Sequence, residues 1–187
     1  MKGTSMKKNT NIVLVVLLIT SYVGHTQSFI NLNFEDATIV SDPSSGPFHV
    51  FANTAILGWT AYISGVAQTD IIYNAVPLSD PAVTLQGTGS GYPPIEGAYF
   101  AMLWGQFNPS GNSNASETNS AAIGQTGQIP FSAKSLTFWG TIGGMQATFN
   151  GLPIDFIVTG STANYTIYSA DISAYAGQTG QLLLTDP

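Results

Sequence analysis

Short runs of β-branched and aromatic residues, separated by glycine, proline, serine and asparagine, recur along this chain and favour a β-rich fold. Alternation of apolar and polar residues predicts strands with one buried face. No stretch beyond residue 26 keeps the spacing of roughly 3.6 residues that an amphipathic helix requires. The strand candidates are residues 29–34, 48–51, 56–63, 71–73, 82–85, 99–104, 122–123, 128–129, 135–139, 147–149, 154–158, 165–168 and 181–185.

The number and spacing of these strands predict the fold class. Many short strands separated by turns are typical of an all-β, two-sheet antiparallel jelly-roll-like β-sandwich. Asn150-Gly151 lies between two candidates and predicts a tight hairpin. The nearly continuous apolar run Tyr99–Trp104 predicts a central strand that is buried on both faces. One helical turn is predicted at residues 172–175, with Asp171 as its N-cap.

A short internal similarity links two segments of the chain. The sequence GQTGQI at residues 124–129 resembles GQTGQL at residues 177–182. We interpret these segments as two similar turns, each leading into an equivalent strand. Residues 122–123 and 128–129 are therefore predicted to flank a turn.

The first 26 residues have the features of a secretory leader. Lys2, Lys7 and Lys8 precede the apolar run 12–19, and small and polar residues follow at 24–26. This order predicts a helical signal peptide over residues 1–26, since the apolar run is shorter than the roughly 20 residues that span a bilayer. Residues 27–187 then form one secreted or cell-surface domain. Because the chain ends at a strand candidate, we expect a C-terminally truncated sandwich.

Charge and composition exclude several classes of function. Beyond residue 26 the chain has ten carboxylates and a single cation, Lys134, which gives a formal charge of −9. Such a surface cannot neutralise phosphates, so nucleic acids and anionic membrane surfaces are not expected partners. The chain has no cysteine, which excludes disulfides, thiolate metal sites and cysteine nucleophiles.

Catalytic patterns are weak. His49 is the one histidine beyond residue 26, and no Gly-x-Ser-x-Gly motif accompanies it. Glycoside hydrolysis needs two facing carboxylates, for which the chain has candidates but no characteristic spacing. We therefore predict a protein that is not an enzyme, and a hydrolase with paired carboxylates is an alternative.

Aromatic residues in loops are the candidate ligand contacts. Tyr92 lies in the Gly/Pro-rich segment 87–94, and Phe107 precedes the polar segment 108–119. Exposed aromatic rings in loops favour binding because packing does not account for them. Trp59 is a third candidate, although its position just before a strand also fits a core residue.

Six segments in this order carry a resemblance to a known group of proteins. The segments are NLNFED (31–36), LGWTAYISG (57–65), PPIEGAY (93–99), IGQTGQIP (123–130), AKSLTF (133–138) and DISAYAGQTGQL (171–182). Together, over residues 29–185, they resemble secreted bacterial proteins that have a galactose-binding-like jelly roll, many of which carry a C-terminal PEP-CTERM sorting signal. The sorting tail has no counterpart here.

The resemblance implies a fold, a class of function and a metal. It implies a non-catalytic β-sandwich of the cell surface or extracellular matrix, with weak carbohydrate binding or, alternatively, a structural or adhesive role toward another surface protein. Jelly rolls of this type often hold a structural Ca²⁺ near the first strand. The matching acid here is Glu35 with Asp36 beside it, and Asp171 is a further candidate ligand.

Overall fold

The structure, a computed structural model, describes residues 27–77, 81–92, 94–105, 120–140, 145–163 and 165–187. The predicted leader, Phe107 and segment 108–119 lie outside these residues. Among the described residues, no helix is long and apolar enough to cross a membrane. The strands are β1 His49–Phe51, β2 Thr60–Ile63, β3 Val66–Gln68, β4 Asp70–Tyr73, β5 Ala82–Gly87, β6 Tyr99–Trp104, β7 Ala121–Gln128, β8 Ser135–Gly140, β9 Gln146–Phe149, β10 Leu152–Ile154, β11 Ile157–Ser161, β12 Thr166–Asp171 and β13 Thr179–Asp186; the helical turns are α1 Ala52–Ala55 and the 3-10 helix Ser173–Tyr175.

The strands form an all-β sandwich, which confirms the predicted fold class. They make a six-stranded sheet in the order β10-β9-β13-β7-β2-β3, a four-stranded sheet in the order β1-β4-β5-β6 and a three-stranded sheet in the order β11-β12-β8. Among the named strands of the described residues, every pairing is antiparallel except that of β4 with β5. The strands of this sandwich are grouped in three sheets, where the sequence pattern predicted two.

The hydrophobic core lies on one face of the six-stranded sheet. Register places Ile123 beside Ala61 on one side and beside Leu184 on the other, so these side chains share that face. Val83 of the four-stranded sheet and Leu136 of the three-stranded sheet belong to the same core. Burial of this face is the main stabilising term of the fold, and both smaller sheets contribute side chains to it.

Strand β6 is an edge strand and not the predicted central strand. It pairs with β5 alone among the described strands, and all six of its residues are half-buried. The continuous apolar pattern of β6 is therefore not explained by burial between two layers. Residues 100–103, which point alternately to both faces, line a cleft along the free edge of the strand.

The segment 29–34 is not a strand, contrary to the sequence pattern. Asn31 and Phe34 adopt positive φ values of 48° and 63°, which end an extended conformation. The Asn31 side chain stabilises this turn by accepting a hydrogen bond from Asp36 N (3.0 Å) and donating one to Leu57 O (3.0 Å). The segment docks through Gln125, whose amide pairs with both backbone groups of Ile30 (2.6 and 3.0 Å).

Two other predicted elements differ from the structure, and two are confirmed. Residues 124–128 lie inside β7 and do not form a turn. This segment pairs with the similar segment in β13, so that Gly127 lies opposite Gly180. The run 154–158 is divided between β10 and β11. The Asn150-Gly151 hairpin joins β9 to β10, with φ values of 51° and 77°, and the Ser173–Tyr175 turn is present.

Candidate binding cleft

A cleft of about 760 Å³ lies between the free edges of β6 and β8. Among the described residues, no backbone pairing joins these two strands. Consecutive residues of each strand, 100–103 and 136–140, line the cleft, so it follows the strand edges and not one sheet face. Its floor is the six-stranded sheet, through Ile123, Leu182 and Leu184. We refer to this site as the edge-strand cleft, and its volume is typical of small-molecule sites.

Aromatic rings form one wall of the edge-strand cleft. Trp139 of β8 stacks on Tyr165, with ring centroids 5.2 Å apart and planes 14° apart, and Trp139 remains 41% exposed. On the other face of β8, Phe138 stacks on Tyr168 at 4.7 Å and meets Phe156 edge-on at 4.8 Å. These contacts fix the ring planes before any ligand arrives, which lowers the entropic cost of binding.

The edge-strand cleft is predominantly apolar and carries little charge. Asp186 is the one charged side chain among the described residues that line it. Its carboxylate accepts a hydrogen bond from Gly105 N at 2.7 Å, which ties the end of β13 to the end of β6. A single, already partnered carboxylate does not supply the acid pair that glycoside hydrolysis requires.

The three predicted ligand contacts have different surroundings. Tyr92 is exposed and lines the mouth of the edge-strand cleft. Trp59 also lines the cleft but is only 5% exposed, because it packs on Phe34 (5.7 Å) and its indole N–H donates to Asn31 O (3.0 Å). Trp59 is therefore part of the wall that holds the N-terminal segment. Phe107 lies outside the described residues.

The predicted calcium ligand Glu35 already has partners. Its carboxylate accepts hydrogen bonds from Ala98 N (2.9 and 3.0 Å) and Tyr99 N (3.1 Å). Gly97, with φ +69°, makes room for this contact, because a Cβ there would lie 2.2 Å from the carboxylate oxygen. Glu35 thus anchors the N-terminal segment to the start of β6.

The remaining predicted metal ligands are dispersed. Asp36 is exposed. Asp171 is not the predicted N-cap of the 3-10 helix, since Ile172 holds that position, but its carboxylate accepts a hydrogen bond from Ser173 N at 2.9 Å. No group of three or more His, Cys, Asp or Glu side chains within the described part of the chain is arranged to hold a metal ion. Calcium binding at Glu35, Asp36 or Asp171 stays a prediction.

The hydrogen bonds from Ser173 to Asp171 lead to a pH-dependent expectation. The hydroxyl and amide of Ser173 both donate to the carboxylate and lower its pKa below the ordinary 3.8. A depressed pKa in the folded state contributes stability at pH values above the unfolded pKa, and this contribution is lost as pH falls through the folded pKa. The unfolding free energy of the wild type should therefore exceed that of Asp171→Asn at pH 7, and the difference should vanish in acid.

Urea denaturation between pH 7 and pH 2 measures this difference. Asp155→Asn, which removes another exposed carboxylate, is the control and should show a smaller change with pH. A difference for Asp171→Asn that grows as the pH falls would contradict a stabilising role for the hydrogen bonds from Ser173 to Asp171.

The sequence pattern did not indicate a histidine–carboxylate pair that the structure contains, His49 with Asp70. The pairing of β1 with β4 brings Nδ1 of His49 into contact with the carboxylate of Asp70, which is 21 residues away. Only a correct strand register could have indicated this pair. The nearby hydroxyls of Ser44 and Ser45 donate to the buried Asp42 (2.5 and 3.1 Å), and that carboxylate has a lowered pKa, first because of the Ser44 hydroxyl.

No protein-family model, curated protein or solved structure matches this chain.

Proposed function

We propose that this protein is a non-catalytic secreted or cell-surface module that binds carbohydrate in the edge-strand cleft. The observation that carries the proposal is the stacked Trp139–Tyr165 pair, which stands at the cleft with Trp139 partly exposed. Sugar rings have apolar C–H faces that pack on flat aromatic surfaces, and fixed aromatic rings offer such surfaces at low entropic cost. The exposed Tyr92 adds a further aromatic ring to the lining of the cleft.

The charge of the cleft supports a non-catalytic role, and the leader pattern supports a secreted or cell-surface location. The edge-strand cleft contains one carboxylate among its described lining residues, which suits binding better than acid–base hydrolysis. The leader pattern of residues 1–26 favours export, and the low charge of the remaining chain suits an extracellular surface. Galactose-binding-like modules, which the sequence resembles, belong to the same class of function.

A second candidate function rests on the strand edges themselves. Within the described part of the chain, β6 and β8 each pair along one edge only, and their other edges face the cleft. An exposed strand edge can accept an added strand from another protein. This arrangement supports the alternative of an adhesive module that binds a surface protein. The two candidates differ in the part of the cleft that they use, since a sugar needs the rings and a strand needs the backbone.

Replacing Trp139 separates these candidates. Trp139→Ala should raise the dissociation constant for a bound oligosaccharide at least about tenfold, because a central aromatic contact is commonly worth more than about 1.4 kcal/mol. The measurement is isothermal titration with soluble hexasaccharides of β-glucan, xylan, galactan and chitin. Phe131→Ala is the matched control, because Phe131 is 81% exposed and lies outside the cleft lining.

Three outcomes are informative. Loss of binding in Trp139→Ala with retention in Phe131→Ala supports the proposal. Equal loss in both variants contradicts a specific role for the cleft. Absence of binding to every hexasaccharide by the unmodified chain contradicts the carbohydrate assignment and favours the protein-binding candidate.

A further inference from the structure

A second apolar cavity of about 250 Å³ lies behind the edge-strand cleft. It is partly open to solvent and lies between the N-terminal segment and the three-stranded sheet, beside β9 and β13. Its polar lining is limited to Ser28 and Ser135, and the other described lining side chains are apolar. We call it the inner cavity; its own apolar residues include Phe29, Ile129, Ala133, Phe149, Ile154 and Ile172.

The inner cavity and the edge-strand cleft share part of their walls. Leu32, Leu136 and Leu182 line both of them. The two spaces are thus neighbours that have three leucine side chains in common. Leu32 is exposed and belongs to the segment that the structure holds by a turn and not by a sheet, so it is the side chain of the three that is freest to change rotamer.

The size of the inner cavity fits a linear hydrocarbon chain. An apolar cavity of about 150 Å³ stays dry and accepts benzene, which has six carbons. By the same proportion, the inner cavity accepts about ten carbons. Because its lining offers few polar partners, water gains little there and an alkyl chain gains burial.

The charge of the edge-strand cleft determines which polar head group a ligand with an alkyl tail can carry. Asp186 is the one charged side chain in the described lining of the edge-strand cleft, and Lys134, the one cation beyond residue 26, does not line it. A carboxylate or phosphate head would meet a negative charge without a compensating cation. An uncharged head avoids this cost, and the rings of Trp139 and Tyr165 favour a sugar.

We propose that the ligand is a neutral amphiphile, with a sugar head on the Trp139–Tyr165 pair and an alkyl tail that passes between Leu32, Leu136 and Leu182 into the inner cavity. The sugar head rests on the proposed function. The tail site rests independently on the inner cavity and on the three leucines that it shares with the cleft.

A chain-length series tests the tail site on the unmodified full chain. The probes are methyl, hexyl, octyl and decyl β-D-glucoside below their micelle-forming concentrations, measured by isothermal titration. Each added methylene should tighten binding about fourfold until the inner cavity is full at about ten carbons. Octanoate should bind at least about tenfold more weakly than octyl glucoside, because its charge lies near Asp186.

Filling the inner cavity provides the matched variant. Ala133→Leu adds carbon atoms inside it, whereas Ala174→Leu makes the same change at an exposed position outside both spaces. Ala133→Leu should weaken decyl glucoside at least about tenfold and leave methyl glucoside unchanged, and Ala174→Leu should affect neither. If Ala133→Leu does not fold, the chain-length series decides alone.

The outcomes separate the two proposals. If oligosaccharides bind and added methylenes bring no affinity, the tail site is wrong and the proposed function stands. If 1-octanol binds as tightly as octyl glucoside, the sugar adds no affinity; the tail site then stands and the carbohydrate assignment is wrong. Binding of octanoate as tight as that of octyl glucoside would overturn the neutral head.

Discussion

Replacing Phe149 by alanine should lower the free energy of unfolding by about 3–5 kcal/mol, the usual cost of removing a buried phenylalanine. Phe149 is 1% exposed, pairs with Leu182 across β9 and β13, and packs on Tyr175 with ring centroids 5.2 Å apart. It also lines the inner cavity, so truncation would enlarge an existing space that neighbouring side chains already leave unfilled. Urea denaturation monitored by circular dichroism measures the loss.

Leu152→Ala is the control for Phe149. Leu152 is the neighbour of Phe149 in the β9–β10 hairpin, but it is 57% exposed, so its truncation should cost less than about 1 kcal/mol. Similar losses in the two variants would contradict the placement of the core at β9 and β13.

Gly97→Ala is expected to destabilise the fold by about 3 kcal/mol. A Cβ at this position would lie 2.2 Å from the Glu35 carboxylate, and φ is +69°, a conformation that costs alanine about 1–2 kcal/mol. Displacing Glu35 would also break its charge-assisted hydrogen bonds to Ala98 N and Tyr99 N. Chemical denaturation of the variant and the wild type gives the difference.

Two controls separate the contact from a general effect of alanine. Gly91→Ala changes another loop glycine that has no atom within 4 Å of a built Cβ and no positive φ, so its effect should stay within about 0.5 kcal/mol. In a Glu35→Ala background, Gly97→Ala should cost at least about 1 kcal/mol less than in the wild type, since the steric partner is gone. Strict additivity would show that Glu35 does not occupy this position.

The sequence pattern predicts strands well where local chemistry decides the structure. The Asn150-Gly151 hairpin was predictable because asparagine and glycine tolerate the positive φ values that the turn requires. The segment 29–34 was wrongly predicted as a strand because its apolar and polar residues do alternate. In the structure Asn31 turns the chain, and the Gln125 side chain supplies the hydrogen-bond partners that a neighbouring strand would otherwise provide. Such a side-chain substitute for a strand leaves no periodic pattern.

The site was less predictable than the fold. Tyr92 was identified because it lies in a loop, whereas Trp139 and Tyr165 were missed because their role depends on β8 being an edge strand. One signal was available: in the alternating run 135–139, Leu136 and Phe138 share one face, so Trp139 lies on the polar face with Ser135 and Thr137. The cleft itself depends on which strands remain unpaired, which composition and periodicity do not determine.

Intermolecular nuclear Overhauser effects between octyl β-D-glucoside and the full chain test most directly whether the edge-strand cleft is the binding site. The indole resonances of Trp139 can be assigned by their loss in Trp139→Phe. The cleft predicts contacts from the sugar protons to Trp139 and Tyr165, and from the alkyl protons to Leu136 and Leu182. Contacts confined to exposed side chains elsewhere, such as Phe131, would contradict it.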